Sequence, residues 1–510
     1  MNGLPLHTLP DIWRNIVGKF PRKTAVICEG QAYSYREIDE VISRVGEVLR
    51  ARFGVGRGDR VAVAMPNCLE FFVTYWATVL SGGVIVPVNT RLRAEEMAYV
   101  IRNAEAKALV VHKQMWPAIE GALADSPTQP LVTVDFAEEG EVCWQDVMDG
   151  APRAPEAAAV DEGDLAVIAY TSGTTGQPKG AMMDHGNLLF NVKNCLVAHS
   201  FRHEDVHLLV VPMFHCTPLY SLLPSSAYLG STIVIAPRPQ IGEIAQLIQD
   251  HHITTFIGVP TLFHFLVTMK DFDRYDFSSL KMISYAGATM PAQTIRRLHE
   301  RFPGVETRNF FGLTETTSVT HVLPSLDSLT RPDSVGKVLP DIGVMIADEE
   351  GRPLPPGEIG ELCFRRENVV KGYWNRPGLL DESIRDGWFH TGDLALADED
   401  GYLHLRGRSK DMIIVGGENV YAEEVEAVIM SHGKVLEVAV VGVEATGVRA
   451  YLGELVKAVV VPEGGAELTE ADIKRHCAQH LASYKVPQLV EFRSELPRNP
   501  SGKVLKRELR

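Results

Sequence analysis

Between residues 60 and 287 the chain places short apolar runs rich in valine and isoleucine at 60–65, 83–88, 108–111, 231–236, 255–259 and 280–287. Each run is too short for a core helix and fits a buried strand, and segments with helical character, such as 35–53 and 242–251, lie among them. Strands alternating with helices need crossover connections, which predicts mostly parallel sheets with helices on their faces. From about 332 to 405 the texture changes to short strands punctuated by Gly and Pro turns, which predicts a small β subdomain. A charged joint at 407–411 follows. The remaining hundred or so residues carry strands at 438–443 and 455–461 and helices near 422–431 and 470–483. The expected fold is therefore α/β: an N-terminal domain over 1–407, a hinge at 408–411, and a small, mobile α+β lid over 412–510.

A chain of 510 residues, 45% hydrophobic, buries enough for more than one domain. The net charge of −15 leaves no nucleic-acid footprint; the densest basic patch, 503–510, is short and terminal. Seven scattered cysteines, an odd number without paired spacing, favour neither a disulfide framework nor a zinc site and fit a reducing cytoplasm. The first fifteen residues lack a basic segment followed by an apolar core, so no secretory signal is expected. Two charge-poor stretches, 71–88 and 206–237, approach or exceed membrane-spanning length. Gly82, Gly83 and Pro87 break the first, and Pro212, Pro218, Pro224 and Gly230 break the second, so both read as domain interior.

Directly after the apolar run 165–169 comes a string containing Thr171, Ser172, Gly173, Thr174, Thr175, Gly176 and Lys179. Hydroxyls, glycines that let backbone N–H groups turn inward, and an ammonium group together form an anion grip. A Walker loop would carry its lysine directly after a glycine and before Ser or Thr. Here Gln177 and Pro178 precede the lysine and Gly180 follows it.

The string resembles the signature loop of the adenylate-forming superfamily, which includes acyl-CoA and aryl-CoA synthetases, peptide-synthetase adenylation domains and firefly luciferase. Further matches recur in the family's order, so the resemblance covers nearly the whole chain. It implies a large domain built on two parallel-type sheets, and a reaction that joins a carboxylic acid to AMP, releases pyrophosphate, and passes the acyl group to a thiol. By resemblance, 309–315 is the adenine and α-phosphate segment: Phe311 stacks on the base, and Asn309, Phe310, Gly312 and Thr314 line the nucleotide. Glu315 would hold Mg²⁺, a hard cation that takes carboxylate together with phosphate oxygens. Gly287 and Ala288 complete the nucleotide contacts, Asp393 accepts from the ribose hydroxyls, and Arg408 reaches ribose or phosphate. Lys503, on a turn-forming string at 497–503 read as exposed and mobile, bridges the substrate carboxylate and the α-phosphate. Lys410 is the hinge residue, and Gly416 and Gly417 line the tunnel for pantetheine. The family's lid turn and its usual glycine after 365 are both altered here, at 441–445 and 365–368.

Three segments are expected to line the acyl pocket, 211–220, 284–290 and 314–319, and they contain no Arg or Lys. A second substrate carboxylate would lack a counter-charge there, which disfavours dicarboxylates. His215 stands where amino-acid-activating relatives carry an aspartate, which argues against amino acids, and it resembles the residue at the mouth of the tunnel. The implied substrates are an aromatic, alicyclic or medium-chain monocarboxylate, ATP and CoA, without nucleic acid or membrane insertion; a homodimer is compatible with the sequence. Two other readings stay open at this point: an enzyme that loads a separate carrier protein, and a nucleotide-binding regulator without turnover.

Overall fold

The computed structural model describes residues 6–123, 131–137, 141–149, 158–171, 178–238, 240–287, 290–408, 411–415, 418–446, 453–464, 466–499 and 502–510. The apolar runs become strands: Arg60–Ala64, Val84–Pro87, Ala108–His112, Thr232–Ile235, Thr255–Gly258 and Met282–Tyr285. Their continuous burial, with Val84–Pro87 and Thr232–Ile235 buried at every position, is what a parallel sheet covered on both faces requires.

Two sheets organise the N-terminal domain. In the first, Thr24–Cys28, Thr232–Ile235, Val206–Leu209, Thr255–Gly258, Met282–Tyr285 and Glu306–Leu313 lie parallel in that order. In the second, Leu165–Thr171, Val84–Pro87, Arg60–Ala64, Ala108–His112, Leu131–Val134 and Val142–Cys143 are likewise parallel. The charge-poor stretches resolve into ordinary elements. The helix Leu69–Leu80 leads into Val84–Pro87, while 206–237 holds a strand, a π-helical turn at Thr217–Leu222, the helix Leu223–Leu229 and a second strand. Among the described residues no helix is long and apolar enough to cross a membrane. All seven cysteines are free.

The β subdomain differs from its expected form. Ser318–Leu323, Ser334–Val338, Leu403–Arg408, Trp388–Ala397, Gly360–Arg365 and Val344–Ala347 are antiparallel, but they continue the first sheet without a break, starting from the pairing of Glu306–Leu313 with Ser318–Leu323. Texture alone could not reveal this, because a sheet that switches from parallel to antiparallel keeps one ladder of hydrogen bonds while its connections shorten to turns.

Beyond residue 411 a separate core forms. Val435–Glu444 and Glu454–Pro462 pair antiparallel, and Leu489–Phe492 adds in parallel. The helices Ala422–Met430 and Glu470–His480 bury Val425, Ile429, Ile473 and Cys477 against Val440, Val456 and Ala458. Leu496 and Leu509 close the opposite face over Ala439, Val441 and Val459. Ser34 and Thr469, each with an acidic residue three positions on, form reciprocal caps that fix where two helices start.

Candidate active site

Leu165–Thr171 does not feed a helix, as the strand before a Walker loop does. It turns back on itself and pairs with Lys179–Asp184, with Thr171 opposite Lys179. The anion grip is thus the connection of a hairpin. Ser172, Gly173, Thr174, Thr175 and Gly176 lie outside the described residues, but the register places Thr171 and Lys179 side by side at their base. The Lys179 ammonium lies over the ring of Tyr373, 5.5 Å from its centroid.

The segment expected to meet the nucleotide is the last part of Glu306–Leu313 and the turn after it. Strand alternation sends Phe310 and Phe311 to opposite sides. Phe310 is 5% exposed and sits edge-on against His199, with centroids 5.0 Å apart, so it packs the core rather than facing a ligand. Only Phe311 keeps a partly open face. Asn309 is buried, and its side-chain amide donates to the Ser334 carbonyl at 3.1 Å, tying the parallel strand to the antiparallel extension. Gly312 is obligatory: a Cβ there would lie 1.6 Å from the Ser318 carbonyl oxygen, because the chain folds sharply back over it. In that fold, Thr317 and Ser318 both adopt positive φ, +53° and +85°, a costly geometry for side-chain-bearing residues that clusters at functional turns. Gly287 also has positive φ, +88°, with nothing nearer than Val259 Cγ1 at 4.0 Å, so it borders open space; Ala288 lies outside the described residues.

The Glu315 carboxylate has one oxygen, Oε1, accepting from the Tyr373 hydroxyl at 2.9 Å, and its backbone carbonyl accepts from Val370 N–H at 2.9 Å. Among the described residues it forms no ion pair. Its second oxygen suits a hard divalent cation shared with phosphate oxygens. Thr314 Oγ1 lies 3.5 Å from the Cys216 thiol, joining this turn to the 211–220 segment. His215 is held below its ordinary pKa, at about 4, by burial first and then by the Arg91 and Lys503 charges, so its imidazole is neutral at pH 7. The Cys216 thiol is raised by burial; Glu315 pushes it in the same direction and Lys503 opposes them. One side chain therefore feels both the N-terminal carboxylate and the C-terminal ammonium.

At the ribose end, Asp393 and Arg408 face each other in the antiparallel register, with Arg408 Nε 2.8 Å from Asp393 Oδ1. The arginine expected to reach the nucleotide thus meets the aspartate first. Glu361 braces this turn. Its Oε1 accepts from Gly392 N–H at 2.8 Å, its Oε2 lies 2.7 Å from His390 Nδ1, and the Asp393 N–H donates to Thr391 Oγ1. Glu361, Cys363 and His390 lie close enough together to be a candidate metal cluster, but the carboxylate is already spent on these hydrogen bonds.

Lys503 is exposed, as expected, but its turn is stitched: Asn499 N–H donates to the Lys503 carbonyl and Lys503 N–H to Asn499 Oδ1, each at 2.8 Å, and Arg498 Nη1 reaches the Gly502 carbonyl at 2.7 Å. Lys410 and the pair Gly416 and Gly417 lie outside the described residues. The strands Ile413–Val415 and Glu418–Val420 flanking that pair form a hairpin with Val415 opposite Glu418.

Sequence reasoning missed Tyr373, Glu361 and Arg91. Glu361 carries a weak signal, a charge directly before the apolar run Leu362–Cys363–Phe364; Tyr373 and Arg91 carry none.

A domain built on two sheets carries the Thr171–Lys179 hairpin and the carboxylates Glu315 and Asp393, and a small second domain carries Lys503. The chain belongs to the AMP-binding enzyme family: the family model matches residues 13–374, and the model of the AMP-binding enzyme C-terminal domain matches 424–503. It is 36% identical over 490 residues to a feruloyl-CoA synthase of Amycolatopsis sp, covering 96% of each chain. It is 32% identical to the long-chain-fatty-acid–CoA ligase of Bacillus subtilis (strain 168), covering 99% of this chain and 94% of the relative. Among solved structures it resembles the anthranilate CoA ligase AuaEII in complex with anthranoyl-AMP, with a TM-score of 0.90 at 28% identity, covering 99% of this chain and 97% of that one.

Proposed function

We propose that the protein is an ATP-dependent carboxylic acid:CoA ligase that forms an acyl-adenylate with release of pyrophosphate and then an acyl-CoA thioester with release of AMP. We infer further that its acid is an aromatic, alicyclic or medium-chain monocarboxylate. The observation that carries this reading is that Cys216, within the 211–220 acyl segment and 3.5 Å from Thr314 Oγ1, feels the charges of both Glu315 in the N-terminal domain and Lys503 in the C-terminal one.

In this reading the hairpin hydroxyls and Lys179 grip the triphosphate, Phe311 stacks on adenine, and Asp393, oriented by Arg408, accepts from the ribose hydroxyls. Glu315 would hold Mg²⁺, which supplies charge neutralisation to the triphosphate. Lys503 stabilises the negative charge that develops as the acid's carboxylate attacks the α-phosphorus and pyrophosphate leaves, an electrostatic role that needs no proton transfer. Neutral His215 borders the carboxylate without competing for it as a cation would. Rotation about Lys410 then exchanges the Lys503 turn for the Gly416–Gly417 hairpin, along which the thiol of CoA reaches the acyl-adenylate.

The apolar character of 211–220 and 284–290 supports a monocarboxylate, and the relatives named for feruloyl, fatty-acyl and anthranilate substrates agree. Arg91, exposed and close enough to bear on His215, is a cation that the three pocket segments do not contain, so dicarboxylates belong in the decisive assay. The pure protein with ATP, CoA and a panel of acids should release AMP and pyrophosphate fastest with benzoate, cyclohexanecarboxylate, hexanoate or octanoate. A preference for acetate or malonate would overturn the substrate class. Turnover with a carrier protein but not CoA would overturn the acceptor, and absence of AMP with every acid would overturn the reaction.

A further inference from the structure

The stretch 366–374 belongs to no large element, yet it is bonded to both halves of the candidate site. Toward the first sheet, Val370 N–H donates to the Glu315 carbonyl and the Tyr373 hydroxyl to Glu315 Oε1, both at 2.9 Å. Toward the second sheet, Gly372–Tyr373 pairs antiparallel with Lys179–Asp184, placing Tyr373 opposite Ala181. Flanking this pair, Lys371 N–H donates to the Met182 carbonyl at 2.9 Å and Trp374 N–H to the Gly180 carbonyl at 2.8 Å. Lys371 Nζ adds an ion pair to the buried Asp184 carboxylate at 2.9 Å. Arg366 holds the stretch in shape by donating to the carbonyls of Val369, Val370 and Lys371.

Tyr373 therefore touches one residue of each half, the Glu315 carboxylate through its hydroxyl and the Lys179 ammonium through its ring face. We propose that Tyr373 is the positioning residue that sets the Glu315 carboxylate relative to the phosphate hairpin, and so sets how tightly the site holds the divalent cation that accompanies ATP. The inference rests on the reading of Glu315 as the cation's carboxylate.

The physical argument is one of fixed geometry. A carboxylate on a turn rotates freely unless one oxygen is occupied, and a metal bound through the other oxygen then pays less to order it. Outer partners of this kind change metal affinity by about 10–100-fold when removed. The phenol is a neutral donor to Glu315 Oε1. A neutral donor also leaves the full carboxylate charge for the cation, which a lysine at this place would cancel.

The test uses the whole enzyme with ATP and Mn²⁺ in place of Mg²⁺. Tyr373→Phe keeps the ring under Lys179 and removes only the hydroxyl; Glu315→Gln is its control. Mn²⁺ affinity for the enzyme–ATP complex, read by electron paramagnetic resonance, is expected to fall about tenfold in Tyr373→Phe and at least as far in Glu315→Gln. Thioester formation from presynthesised acyl-adenylate should be unchanged in Tyr373→Phe, which separates positioning from general damage to the fold. Normal Mn²⁺ affinity in Tyr373→Phe beside a weakened Glu315→Gln overturns the inference and leaves the assignment of Glu315 standing. Normal affinity in Glu315→Gln overturns the assignment, and the inference with it. Equal loss in both half-reactions of Tyr373→Phe shows a structural role and also overturns it.

Discussion

The N-terminal domain holds its candidate ligands from several sides, whereas the C-terminal domain presents its lysine on a single exposed turn. Glu315 is tied through both its carbonyl and its carboxylate, and Asp393 is paired with Arg408 on a turn that Glu361 braces. Lys503 has its backbone hydrogen-bonded to Asn499 but an exposed head. The first arrangement fixes side chains in place; the second makes the position of a charge depend on the position of a whole domain. A group that must act in one half of a reaction and withdraw in the other is better carried on the second kind of support, because a few dihedral changes at a hinge move it as a unit.

The largest expected effect tests that division. Lys503→Ala should slow acyl-adenylate formation by about 10²–10³-fold while sparing thioester formation from presynthesised acyl-adenylate, as rapid-quench assays of each half-reaction would read. Equal loss in both would mean the lysine is a fixed part of the site and would erase the contrast.

Acid should separate the domains next. Buried His185 and His207 are held down at about 4 and His199 and His321 at about 3, chiefly by desolvation, and all four lie in the N-terminal domain. Because their folded pKa values lie below the ordinary 6.5, their stabilising contribution is complete above pH 6.5. It is lost as pH falls toward 4, since the unfolded chain takes up the protons first; each group costs about 2 kcal/mol by pH 5. All six tryptophans lie at or before Trp388, so their fluorescence reports this domain alone. The urea midpoint read by tryptophan should fall steeply from pH 7 to pH 5, with a smaller change in amide exchange over 435–462.

Two smaller effects sharpen the ribose end. Asp393→Asn should raise the KM for ATP about tenfold with little change in kcat, since a charged acceptor is lost and Arg408 is left without its partner. Glu361→Gln, which weakens the brace without touching nucleotide, should raise it about fivefold; a larger effect than that of Asp393→Asn would mean that the brace, not the aspartate, dominates this end.

Much of this protein is legible in local patterns. The buried strands and the phosphate string follow from residue spacing, and the family resemblance carried by that string and the later motifs led to the adenylate-forming fold and the ligase class. Phe310 shows where locality misleads. It stands beside Phe311 in the motif, but the pleat of the strand sends it into the core against His199. The β subdomain shows the same limit, since turn texture does not say whether a sheet ends or continues.

The sequence by itself determined which segments bury and where hydroxyls, glycines and carboxylates cluster, because those are properties of neighbours along the chain, and the motifs so formed carry the family resemblance that implied the chemistry. Tertiary structure alone decided that Tyr373 bonds Glu315 across 58 positions, that Glu361 bonds Gly392 across 31, that Arg408 pairs with Asp393, and that Arg91 and Lys503 both bear on His215. Such pairings depend on which strands lie side by side and in what register. Register is set by the packing of the whole sheet and is not encoded within any one segment.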